Sequence, residues 1–318
     1  MPDTIHLLIP LAASHAPGCQ AALASLALPH LNRLLARLTA TGTDAGEEAD
    51  FAPPHERALA RHLGLPDARS GSTPWAAWTV EQALPAGAPH GQAWAWVTPC
   101  HWQVGTDHIT MDDPGRLQLR EAESRALLEL LAPWFAEDGI ALHYHAPTLW
   151  LAQGAVFDGL ATASLDRAIG CDVRAWLPDA ARAGLLHRLH SEMQMLLYTH
   201  PFNDARAAQG LPPVNAFWVH GAGALAAPPA PAAAVQMPMQ LRDAALREDW
   251  AAWAEAWRAL DAGPVAQLAA KAAAGARVRL TLCGERSARQ WEGSGRGLAA
   301  RIRSVFVSKP WPTLGSQL

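Results

Sequence analysis

Two short apolar runs stand near opposite ends of this chain, and helical sequence adjoins each. The first is "IHLLIPLA", from Ile5 to Ala12, and the second is "ARVRLTLCG", from Ala276 to Gly284. Both are too short for a buried helix and both carry β-branched residues, so they read as buried strands. After the first, Leu31, Leu34, Leu35 and Leu38 fall at i, i+3, i+4 and i+7 of an amphipathic helix. "PPHERALARHLGL", from Pro53 to Leu65, is a second helix that opens on proline and closes on Gly64. "LREDWAAWAEAWRALDAGPVAQLAAKAAAG" predicts one or two helices before the second run. Strands alternating with helices at both ends predict an α/β fold with a mostly parallel sheet and helices on both faces.

The middle of the chain has a different texture. "AWAWVTPCHWQVGTDHITMDD" alternates and turns at "VGTD", "EAESRALLELLAPWFAEDG" is helical, and "IALHYHA" and "TLWLAQG" are strands. This is the content of a smaller α+β domain inserted into the first. The expected division is therefore residues 1–72 and 166–318 for the core and 73–165 for the insertion. "RSVFVSKPWPTLGSQL" is expected to add a last edge strand and a tail.

The formal net charge of −4 is spread along the sequence without a basic block, which argues against a nucleic-acid surface. No run of 18 apolar residues lacks charge or proline, so no membrane span is expected. The N-terminal apolar run has no Lys or Arg before it, unlike a secretory signal. Cys19, Cys100, Cys171 and Cys283 are far apart, as expected for reduced thiols in the cytoplasm.

Several polar groupings have ligand-competent spacing. His143 and His145 share one face of a strand, and His187 and His190 are one turn apart on a helix. Neither pair has an acidic or cysteine partner fixed nearby, so solvated or core-edge histidines are the simpler reading. Asp107 and His108 are adjacent and suit a hairpin turn. "GSGRG", from Gly293 to Gly297, lacks the Lys-Ser/Thr of a P-loop and suits a turn.

The densest grouping is "THPFNDARAAQGLPPVNAFWVHGAG", from Thr199 to Gly223. Pro201 ends the preceding helix, and Arg206 follows Asn203 by three residues. Gly210 closes the turn, and a strand then runs from Asn215 to His220 before Gly221 and Gly223. Ligands in open α/β sheets gather at the carboxyl ends of strands. The stretch either faces such a ligand or ties a helix end to a strand.

His200, Pro201, Asn203, Arg206, Gly210, Asn215, Trp218, Gly221 and Gly223 together resemble a segment of the archaeal-type, cofactor-independent phosphoglycerate mutases. The chain most resembles a bacterial offshoot of that family, the RpfE-type regulatory or mutase-like proteins. The resemblance implies an alkaline-phosphatase-like core with an inserted domain. It also implies a ligand site drawing on His200, Asn203, Arg206, Asn215, Trp218, His220, Gly221 and Gly223, for a small phosphorylated or carboxylate ligand.

The family's chemistry uses two divalent metals and a nucleophilic serine, and this sequence departs from that pattern at four places. The first strand runs into "IPLAASHAPG" with no acid. "FAPPHERAL" has no serine. "LCGERSARQW" stands where an Asp-His pair is expected, and "LREDWAAW" offers Glu248 and Asp249 but no histidine. Phosphate-monoester cleavage needs acceleration of up to about 10²¹-fold, much of it supplied by metals. Hydrogen bonds worth about 1.5–3 kcal/mol each do not replace them. No metal or cofactor is expected, and the leading reading is a regulatory protein that binds a small anion or a protein partner. The alternatives are a working mutase or phosphohydrolase drawing on His55, Glu56, Asp107 or His108, and an interaction scaffold using tryptophans. Trp250, Trp253 and Trp257 share one helical face, which most simply packs against the sheet.

Overall fold

The computed structural model describes residues 4–66, 69–83, 90–227 and 232–294. The chain divides into two compact units, residues 1–64 with 231–318, and residues 65–230. It opens in the first unit with β1 (Ile5–Ile9), α1 (Pro17–Ser25), α2 (Pro29–Leu35), β2 (Thr39–Ala45) and α3 (Pro54–Leu63). The second unit holds α4 (Trp75–Ala83), β3 (Ala93–Cys100), β4 (Trp102–Val104), β5 (Ile109–Met111) and α5 (Glu121–Glu137). It continues with β6 (Ala141–Ala146), β7 (Leu149–Gln153), α6 (Leu165–Ala168), α7 (Ala180–Tyr198), α8 (Pro201–Ala207) and β8 (Ala216–Ala224). The chain then returns to the first unit with β9 (Val235–Gln236), α9 (Gln240–Ala245), α10 (Trp250–Leu260), α11 (Ala266–Ala273), β10 (Arg277–Cys283) and β11 (Ser287–Ser294).

The sheet of the first unit has the order β2-β11-β10-β1-β9. β1 runs parallel to β10 and β9, whereas β11 pairs antiparallel with both β10 and β2. The sheet is thus mixed, not mostly parallel, because β11 turns straight back from β10 through a three-residue connection. Side chains of β1 alternate between two cores. Leu7 and Ile9 join the cluster built with Leu23, Leu31, Trp253, Trp257 and Leu268, and Leu8 packs with Cys283, Ala58 and Leu59 on the α3 side. α2 has no cap of its own, and Asp261 accepts hydrogen bonds from the backbone N–H of Leu31 (2.7 Å) and His30 (3.2 Å). α3 ends at Gly64 with φ +70°, a conformation glycine adopts without steric cost.

The second unit is built on an antiparallel sheet of order β6-β7-β3-β8. Its core gathers Val97, Leu127, Phe135, Trp150, Leu189, Met193 and Phe217. β4 and β5 form the hairpin expected around "VGTD". Two expectations change here. The second boundary falls at 230 instead of 165, because β8 pairs along β3 from Cys100↔Ala216 to Ala93↔Ala224 and so belongs with β3. The strand also does not stop at His220. It runs on through Gly221 and Gly223, where a Cβ would stand 2.9 Å from the Cβ of Trp75 and of Pro74 respectively. Those glycines let the start of α4 approach the strand closely and do not end it.

The expected edge strand and tail lie outside the described residues, as does "GSGRG" beyond its first two positions, which belong to β11. No helix among the described residues is long and apolar enough to cross a membrane.

Candidate functional site

β1 delivers the chain to a constrained loop at the carboxyl end of the first unit's parallel strands. Leu11 has φ +45°, a conformation that costs a non-glycine residue about 1–2 kcal/mol. Three long-range hydrogen bonds hold it. Trp253 Nε1 donates to the Leu11 carbonyl (2.9 Å), Trp257 Nε1 to the Ala12 carbonyl (3.0 Å), and the Ala12 N–H to the Cys283 carbonyl at the end of β10 (2.7 Å). The tryptophan face of α10 therefore packs as expected and also fixes this loop.

Two residues further on, the loop closes on one carboxylate. Ser14 Oγ donates to Glu285 Oε1 at 2.6 Å, and the His15 N–H donates to Glu285 Oε2 at 3.1 Å. His15 Nδ1 lies 3.1 Å from the same Oε2. Burial pushes the Glu285 carboxyl up, but these hydrogen bonds and the His15 charge outweigh it and hold the group below its ordinary range. An ionised carboxylate only accepts, so His15 Nδ1 is the donor in this contact. The His15 side chain is 60% exposed. The arrangement holds an oriented imidazole at the strand ends. The Cys19 thiol beneath is pushed up to about 11, chiefly by burial.

A second network lies beside it in the same unit. Arg57, 1% exposed, donates Nε to Asp44 (2.9 Å), Nη1 to the Ala52 carbonyl and Nη2 to the Arg286 carbonyl. Burial raises the Asp44 carboxyl, and Arg57 and Arg61 together bring it below its usual value. His55 is buried at the start of α3. Among the described residues no group of three or more His, Cys, Asp or Glu side chains is placed to hold a metal ion. Asp107 and His108 are paired at 2.7 Å and exposed in the second unit.

The Thr199–Gly223 stretch occupies the second unit, and its polar groups turn inward. Asn203 donates to the carbonyls of Leu197 (2.9 Å) and Val214 (2.8 Å) and accepts from the Val214 N–H (2.9 Å). Arg206, 1% exposed, donates Nε to the Pro212 carbonyl, Nη2 to the Leu117 carbonyl and Nη1 to Glu123. Asn215 exchanges two hydrogen bonds with the Trp102 backbone (2.7 and 2.9 Å). His200 caps α8 by accepting the Phe202 N–H, Trp218 Nε1 donates to the Ala163 carbonyl, and His220 Nε2 lies 3.1 Å from Thr98 Oγ1. A cleft of about 330 Å³ opens nearby, lined by Arg120, Ala122, Glu123, Phe202, Ala205 and Gln209. Arg206, Asn203, Asn215 and His200 are not among its lining. Of the two readings of this stretch, the geometry describes the one in which it ties a helix end to a strand.

No local pattern in the sequence marks Ser14, His15 and Glu285 as a group. They lie within "IPLAASHAPG" and "LCGERSARQW", which carry neither an acid directly after the first strand nor an Asp-His pair. The available signal was positional, since both follow directly on the two strand-forming runs.

No protein-family profile matches the chain, and no curated protein matches it. Among solved structures, the PH0037 protein from Pyrococcus horikoshii aligns at 11% identity with a TM-score of 0.47, covering 92% of this chain and 88% of that one. The cofactor-independent phosphoglycerate mutase from Thermoplasma acidophilum aligns at 14% identity with a TM-score of 0.37, covering 100% of this chain and 99% of that one. At these scores neither likeness assigns a fold or an activity.

Proposed function

We propose that this chain is a binding or regulatory protein on a phosphoglycerate-mutase-like scaffold, and that it does not catalyse phosphoryl transfer. One observation carries the proposal. Where the resemblance would put a metal-ligating acid after the first strand, the chain has Leu11, Ala12 and Ala13, with two carbonyls tied to Trp253 and Trp257. The carboxylate held against this loop, Glu285, already accepts from Ser14 and His15. A protein is the better supported partner, because the donors proposed for an anion at Asn203, Arg206 and Asn215 are engaged by the protein itself. Met195 and Tyr198, three residues apart on α7, are 77% and 86% exposed.

The test is an enolase-coupled assay of 2- and 3-phosphoglycerate interconversion, with and without manganese. The expected rate is background. A turnover near the typical ~10 s⁻¹, abolished by His55→Ala or Glu56→Gln, overturns the proposal.

A further inference from the structure

We propose that His143 and His145 form a binding site for a divalent transition metal on the sheet of the second unit, separate from the strand ends of the first. β6 is the outer strand of that sheet, and its residues alternate in exposure, with His143 and His145 both on the exposed side. The register of β6 against β7 shifts between Tyr144 and Ala146, yet the alternation of exposure persists through His145.

Ring contacts show where the imidazoles lie. The His143 ring is 5.6 Å from that of Trp94, and the His145 ring is 5.0 Å from that of Trp96. β7 separates β6 from β3, and two strand spacings amount to about 9.6 Å. Both histidines and both tryptophans must therefore lean toward each other over β7. The two imidazoles stand two residues apart on one face of β6, each beside an indole of β3. Neither enters a hydrogen bond or ion pair among the described residues, so their nitrogen lone pairs are uncommitted.

Two imidazoles at i and i+2 on a strand supply two positions of a coordination sphere, and exposure leaves the others to water. Nitrogen donors without a carboxylate select copper(II), nickel(II) and zinc(II) over magnesium and calcium, with copper(II) bound most tightly. Bracing by Trp94 and Trp96 lowers the rotamer freedom that binding must remove.

The experiment uses copper(II) chloride as the probe, titrated into the full chain in a non-chelating buffer. Tryptophan fluorescence and electron paramagnetic resonance are recorded. The expected result is about one copper per chain, quenching of Trp94 and Trp96, and coupling to two nitrogens. His143→Ala and His145→Ala should each weaken binding by roughly tenfold or more and leave coupling to one nitrogen. Trp94→Phe should reduce the quenching and preserve the affinity. Wild-type affinity in either histidine variant overturns the proposal, as does loss of the copper signal in His15→Ala. Both histidines are exposed, so the variants retain their fold. The phosphoglycerate assay is indifferent to either result, so the two proposals fail separately.

Discussion

Arg206 Nη1 lies 2.5 Å from Glu123 Oε1, and this ion pair joins α8 to the first turn of α5 across 83 residues of sequence. The rest of the guanidinium is spent on two backbone carbonyls, those of Pro212 and Leu117. Arginine suits this work because its planar fork donates in several fixed directions at once. In the fold its guanidinium links α8 to α5 and to two backbone carbonyls.

Arg206→Ala should therefore unfold the protein more easily. Removing one partner of a buried ion pair costs about 3–5 kcal/mol, since the remaining groups lose their donors. Thermal and urea unfolding measure it. Unchanged stability together with loss of binding to a small phosphorylated acid would restore Arg206 as a ligand residue.

Gly221→Ala and Gly223→Ala should each destabilise the second unit. Gly221 has φ +60° and Gly223 φ +143°, and an added methyl meets Trp75 or Pro74 at 2.9 Å. Backbone strain alone costs about 1 kcal/mol or more. If these glycines served a ligand, stability would be unchanged while binding fell.

Asp44→Asn should weaken the protein at neutral pH. The folded carboxyl sits below its ordinary 3.8, so ionised Asp44 contributes stability that is present above that value. This contribution is lost as pH falls through the lower folded value. Urea midpoints of variant and wild type should converge at strongly acidic pH, and a constant gap down to that range would contradict the assignment.

His6 gives the opposite chemistry with the same acid sensitivity. Its ring is 2% exposed, lies 2.9 Å from Thr281 Oγ1, and is lowered to about 3 by burial, then by His62 and Arg279. The folded state keeps it neutral. Stability is full above the unfolded value of 6.5 and declines from there toward pH 3, as the unfolded chain takes up a proton that the folded one refuses. The decline is about 1.4 kcal/mol per pH unit for one such group. His6→Gln should flatten this slope between pH 6 and 4, beyond the parallel contribution of His190, which burial and His187 also lower to about 3. An unaltered slope would show that His6 is not responsible.

Met195→Ser with Tyr198→Ser should shift stability by no more than about 0.5 kcal/mol, as exposed positions do. A large loss in thermal unfolding would mean that the two side chains pack in the fold and are not available to a partner.

The sequence by itself determined the local elements. Spacing placed the helix through Leu31 and Leu34, proline and Gly64 bounded α3, and the tryptophans of α10 fell on one buried face. Such features follow from periodicity and backbone conformation over a few residues, which a single sequence displays directly. The tertiary structure alone decided what the polar groups do. Glu123 is 83 residues from Arg206, Trp102 is 113 from Asn215, and Glu285 is 271 from Ser14. A side chain's hydrogen-bonding capacity is legible from its type, but whether ligand or protein fills it depends on which distant segment packs beside it. The same reason moved β8 into the second unit, since strand pairing is a choice among partners that local pattern does not rank. It also hid Ser14, His15 and Glu285, which become one cluster only when β1 and β10 lie side by side.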